Sequence, residues 1–202
     1  MTTNDTQNNE TIAWARQYLV SHGYTLKTNN PEIIQNTPWS HVARFATTKG
    51  YIYLKQTPPL LGLEANILQK LHNQFHISVP KVIAHDPAHH CFLMEDAGIS
   101  LRSILKRQFD LELFCRAILH FTAMQLAVAN ALDVFIDMGV PDWRLEKIPE
   151  LYAQLLAQEE MLLADGLSEY EIAILKEHIP NVLELCRTLS TYAIKPSIVQ
   201  PD

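Results

Sequence analysis

Two apolar-rich runs, residues 41–47 and 51–56, flank a turn centred on Lys49-Gly50, and this pattern predicts a β-hairpin. The breaker Thr57-Pro58-Pro59 follows, and a helical pattern then covers residues 60–71 with Glu64 in its first turns. Residues 79–84 form a short apolar strand with Pro80 near its start, His85-Asp86-Pro87 makes a turn, and residues 91–96 make a second, buried strand. Ala97-Gly98 breaks that strand, and a helix opens after Ser100, a suitable N-cap. Upstream, residues 10–22 place Ile12, Ala15, Tyr18 and Leu19 on one helical face. Gly23 ends that helix, and residues 24–27 alternate as a first strand.

Beyond Ser100 the pattern is almost wholly helical. Phe114, Ala117, Ile118, Phe121, Met124, Gln125 and Val128 recur at three-to-four spacing within residues 111–132, the pattern of a buried central helix. Two amphipathic stretches follow, residues 145–163 and 168–189, the second interrupted at Pro180. Asp165-Gly166 separates them, and Ser168 with Glu171 forms a capping box. Ile198-Val199 reads as a short strand near the end. No internal repeat and no low-complexity tract is present. The expected organisation is a lead-in over residues 1–9, a mixed α/β part over 10–96 and a helical part over 97–202.

Composition narrows the class of protein. At 202 residues, 48% hydrophobic and 19% charged, the chain suits a globular protein able to bury a sizeable core. Cys91, Cys115 and Cys186 are odd in number and set in apolar sequence, which points to reduced core thiols in a cytoplasm. The first residues lack a basic and an apolar region, so no signal peptide is expected, and no apolar run approaches a membrane span. A net charge of −6 argues against nucleic acid and suits a cationic small molecule.

The candidate chemistry centres on Lys55, at the end of the second hairpin strand, and Glu64 on the helix that follows. A strand lysine held by a helical glutamate is how kinase-like folds grip the α- and β-phosphates of ATP. A surface lysine and a surface glutamate on an ordinary β-β-α unit would look the same. The order of elements then favours the first reading. The segments WSHVARF, YIYLK, LGLEANIL, VPKVIAHD, CFLMEDAG and SLR, from Trp39 to Arg102, resemble the aminoglycoside phosphotransferase family, relatives of choline and fructosamine kinases.

That resemblance implies a protein-kinase-like α+β fold: an antiparallel-sheet small lobe and the first part of a helical large lobe. It implies ATP- and Mg2+-dependent phosphoryl transfer to a hydroxyl of a small molecule. Lys55 would bind phosphate and Glu64 would orient it. Ser40, in a nucleotide-covering loop near residues 35–41 that lacks a glycine-rich run, would contribute a polar contact. Met94 and Asp96, in the hinge, would meet adenine through backbone groups. Asp202 stands where the family has its catalytic Asp, but Gln200-Pro201 replaces the usual His-Gly, and no magnesium-binding Asn or Asp follows. The expectation is a fragment or truncated product, inert on its own, with apolar surface left open in its helical lobe. The rival expectation is a non-enzymatic kinase-like protein that binds a nucleotide or a partner. Glu159, Glu160, Asp165, Glu169 and Glu171 match a family wall for cationic substrates, although each alone reads as a solvated helix face.

Other groups are expected to be structural. Trp39 packs, and Arg102 faces solvent. His85, His89, His90 and Cys91 do not match a zinc spacing, and alternate side chains along a strand point apart. His72 and His76 suit a helix end.

Overall fold

The computed structural model describes residues 3–199. Its architecture is α+β, with a five-stranded antiparallel sheet and nine α-helices among those residues. The chain forms two compact units, one up to Ala127 and one from Val128 onward.

In the first unit, α1 (Thr3–Ser21) precedes β1 (Glu32–Thr37), β2 (Ser40–Thr47) and β3 (Gly50–Gln56). A 3-10 turn (Pro59–Leu61) leads into α2 (Glu64–Asn73), followed by β4 (Val82–Asp86) and β5 (Cys91–Glu95). The strand order is β1-β2-β3-β5-β4. Along β2, buried and half-buried positions alternate without a break, as a strand covered on one face requires. Ala43 faces Leu54 and Phe45 faces Ile52 across the β2–β3 pairing, and Leu54 faces Leu93 across β3–β5. Ala15 and Leu19 of α1 close over these residues and complete the core. Thr11 extends the contact in polar form, donating to Gln56 Oε1 at 3.2 Å, while Tyr18 donates to the Ile83 carbonyl at 2.8 Å.

The expected hairpin is present, with Gly50 at φ +113 opening its second strand, a backbone conformation that disfavours any other residue. Ser100 caps α3 (Leu101–Arg107) by accepting from the Ser103 amide at 3.2 Å. Several expectations need correction. Helix α1 begins at Thr3, taking residues 3–9 into the helix. Residues 24–27 give a single bridge, Leu26 to Thr47, and the outer strand is instead β1. A six-residue edge strand with every position exposed carries no alternation of burial to reveal it. His85 and Asp86 belong to β4, because the turn is made further on, by residues 87–90. Ile198 and Val199 lie outside any strand.

The largest departure is α4 (Leu111–Val128), which ends the first unit. Only Val128 is buried, and Ile118 is 49% exposed. Three-to-four spacing fixes a helix, but burial also needs a packing surface to receive the apolar side chains. With 18 residues and mean hydropathy 1.3, α4 meets the length and composition of a membrane-crossing helix, contrary to the sequence expectation. Cys115 on α4 is exposed, not a core thiol, whereas Cys91 and Cys186 are buried.

The second unit holds α5 (Asp133–Asp137), α6 (Ile148–Leu156), α7 (Glu159–Ala164), α8 (Glu169–Glu177) and α9 (Ile179–Ser190). Each expected long amphipathic stretch is thus two helices, and Pro180 falls in the first turn of α9, where its missing N–H costs nothing. Leu156, Leu162 and Ile172 form the core. The capping box stands as expected: Ser168 Oγ accepts from the Glu171 amide at 3.2 Å, and the Glu171 carboxylate accepts from the Ser168 amide at 2.8 Å.

Leu54→Ala, at a position with 0% exposure, is expected to lower stability by about 2–5 kcal/mol in urea unfolding. Leu60→Ala, at 93% exposure, is expected to change it by less than about 0.5 kcal/mol.

Candidate functional site

Lys55 is set by register. It lies opposite Val42 on β2 and Phe92 on β5, and therefore on the face away from Ala43, Leu54 and Leu93. Because α1 covers the other face, Lys55 projects from the side that α1 leaves open. The prolines and the 3-10 turn after β3 reverse the chain, so that Glu64, the first residue of α2, returns over this side. Lys55 Nζ meets Glu64 Oε1 at 2.8 Å and Oε2 at 2.6 Å, with both side chains half-buried. A pair this accessible contributes about 0–1 kcal/mol to folding, so stability alone gives little reason for it. Its chemical capacity is that of a primary ammonium with three donors, held by the Glu64 carboxylate beside an apolar floor.

The floor continues outward along β3 and β5. Tyr53 faces Met94, and Tyr53 also faces Arg44, whose guanidinium lies 4.4 Å from the centre of the Tyr51 ring. Arg44 Nε donates to Glu32 Oε2 at 3.1 Å, and its hydrogen bonds to Glu32 and Tyr53 raise its pKa. Phe92 and Tyr53 were missed as site residues. Their signal was the alternation that places every second residue of β3 and β5 beside Lys55.

Ser40 opens β2 two residues before Val42, about 7 Å along the strand on the Lys55 face. Its Oγ is buried and has no hydrogen-bond partner. The expected covering loop is the β1–β2 hairpin, reduced to a turn at Pro38-Trp39; residues 35–37 and 40–41 are strand. Thr37 Oγ1 accepts from the Ser40 amide at 3.1 Å and donates to the Ser40 carbonyl at 3.2 Å, which closes the turn. Trp39, expected to pack, stands at the tip and is 69% exposed.

Met94 lies within β5 and Asp96 immediately after it. Asp96 Oδ1 accepts from the Gly98 amide at 2.8 Å and holds the connection to α3 in a tight turn. Asp202, with Gln200 and Pro201, lies outside the described residues. Arg102 is exposed, as expected.

Several polar groups noted in the sequence are committed elsewhere. His89 Nδ1 lies 2.7 Å from Asp86 Oδ2. Burial alone would raise the Asp86 pKa, but the His89 side-chain and backbone hydrogen bonds outweigh it and hold it below 3.8. Among the described residues, no three His, Cys, Asp or Glu side chains are placed to hold a metal ion. Glu159 on α7 pairs with Lys176 on α8, and Glu171 caps α8, so two of the five acidic side chains near residue 165 are committed to contacts within this helical unit. Burial pushes the Cys91 thiol up to about 12, which makes it a poor nucleophile.

No protein-family model matches this chain, and no curated protein matches it.

His41, beside Ser40 but on the core face opposite Gln56, has a buried Nε2 without a partner. Burial lowers its pKa below 6.5, and His85 is lowered by the same cause. Below pH 6.5 the unfolded chain takes up protons that the folded chain refuses until the lowered values are reached, so stability falls as pH falls through that window. His41→Asn is expected to flatten this part of the profile in urea unfolding at a series of pH values. A profile that keeps its full slope would show that His41 does not contribute.

Proposed function

We propose that this chain is a kinase-like ATP-binding protein of the aminoglycoside phosphotransferase type, whose parent activity is phosphoryl transfer to a hydroxyl of a small molecule. The observation that carries the reading is the ion pair between Lys55 on β3 and Glu64 at the start of α2. Lys55 takes the α- and β-phosphates, and Glu64 fixes the ammonium where the phosphates arrive. The unpartnered Ser40 Oγ supplies a further hydrogen bond on the same face. Adenine rests against the floor of Val42, Tyr53 and Phe92 and meets the backbone at Met94 and Asp96.

In the parent reaction the bond from the γ-phosphorus to its bridging oxygen breaks, ADP leaves with that electron pair, and the acceptor hydroxyl oxygen bonds to phosphorus. The acceptor proton passes to a carboxylate, the role proposed for Asp202. Magnesium neutralises the transferring charge in such reactions. The roles assigned to the described residues are those of holding and orienting the nucleotide. Electrostatic positioning of this kind is the larger part of phosphoryl-transfer catalysis. A cationic hydroxylated amine is the acceptor class that the −6 net charge suits, and a cytoplasm supplies the ATP.

A second reading, a non-enzymatic nucleotide binder, rests on Gln200-Pro201 standing where the family has His-Gly. Calorimetric titration with ATP separates the cases. Saturable binding is expected, weakened about 10- to 100-fold by Lys55→Met, because a charge-assisted contact to phosphate is lost. Absence of binding, or equal binding by the variant, removes both readings. Binding without transfer of labelled phosphate to a panel of hydroxylated amines selects the binder; binding with transfer selects the enzyme.

A further inference from the structure

We propose that the notch between α1 and the start of β1 is a binding site for a small organic monocarboxylate, with Arg16 as its anchor. It lies beside α1, on the side of the sheet opposite Lys55, and is independent of the phosphate-clamp reading. The notch measures about 400 Å³, the scale of a small-molecule site. One flank of α1 and the chain entering β1 line it.

Arg16 is the one cation among the lining residues. Its Nη2 donates to the Asn29 carbonyl. Its Nε is buried and has no hydrogen-bond partner, and no carboxylate among the described residues pairs with it. A guanidinium stays charged at any physiological pH and carries five donors in a planar fork. A buried donor left unmet is costly, and an anion would satisfy the cationic donor that the folded chain keeps here.

The remaining walls set the class of anion. Ile12 and Ala13 from α1, with Pro31 and Ile33 from the β1 side, are apolar. The amides of Asn9 and Asn30 also line the notch and are neutral. A single cation balances a single negative charge. A phosphate dianion would keep one charge unbalanced in a chain whose net charge is already −6. A carboxylate matches the guanidinium fork, and a short hydrocarbon body matches the walls.

The test is titration of the 15N-labelled full chain with sodium hexanoate, sodium acetate and inorganic phosphate at matched ionic strength, read at the Arg16 Nε–H resonance. Hexanoate is expected to give a saturable shift. Acetate is expected to bind at least about tenfold more weakly, because it removes four fewer methylene groups from water. Phosphate is expected to give no saturable shift. Arg16→Gln is read through the backbone amides of Ile33 and Ala13 and is expected to abolish hexanoate binding. Ala13→Trp fills the notch while leaving the guanidinium intact, and it is expected to abolish binding with the Arg16 resonance retained. No saturable response to hexanoate, an equal response to phosphate, or full binding by Ala13→Trp would each overturn the proposal.

Discussion

The β2–β3 pairing sets His41 opposite Gln56, Val42 opposite Lys55, Ala43 opposite Leu54 and Phe45 opposite Ile52, and this register governs the rest of the first unit. Because side chains alternate across a strand, it collects Ala43, Phe45, Ile52 and Leu54 on one face and puts Lys55 on the other. A slip by one residue would expose the whole apolar set and drive the lysine into the core, where an unpaired ammonium is strongly disfavoured. The hydrophobic face and the charged side chain therefore enforce the same pairing. Helix α1 seals the apolar face through Ala15 and Leu19. Only with that face sealed does the opposite one become the place where Lys55, Glu64 and the aromatic floor can meet.

Three buried polar atoms lack partners among the described residues: Arg16 Nε, Ser40 Oγ and, on the core face, His41 Nε2. Of these, Ser40 Oγ and Arg16 Nε lie on opposite sides of the sheet. His41 Nε2 lies beside the polar seam of Thr11 and Gln56, where burial lowers the pKa of the ring. Two other polar side chains at the α1–sheet contact are paired: Thr11 bonds to Gln56, and the Tyr18 hydroxyl bonds to Ile83. Buried polar groups in folded proteins are nearly all paired, so the few exceptions are the positions where an outside partner has most to offer.

Local signals were readable where the chain repeats a short-range rule. The β2–β3 hairpin, the Ser100 cap, the Ser168–Glu171 capping box and the break at Pro180 each depend on residues within a few positions of one another. The Lys55–Glu64 pair was expected from its likeness to the kinase-like strand lysine and helical glutamate, and the two side chains meet at 2.8 Å. Legibility failed at β1, whose six exposed positions show no period, and at Trp39, an aromatic at the tip of a tight turn. It failed again at α4, where apolar spacing was read as burial.

The sequence by itself determined the β2–β3 hairpin, the helical character of the chain beyond Ser100 and the Ser100 and Ser168 caps, because each follows from backbone preference and neighbouring side chains. The tertiary structure decided which face of the sheet is sealed, which apolar helix is covered, and which polar atoms remain without partners. Those properties depend on surfaces brought together from distant parts of the chain. Ile12 and Ile33, 21 positions apart, border one notch, while Phe121 carries the spacing of a core residue and remains open to solvent. Periodicity specifies what a side chain could bury, and only packing specifies what it meets.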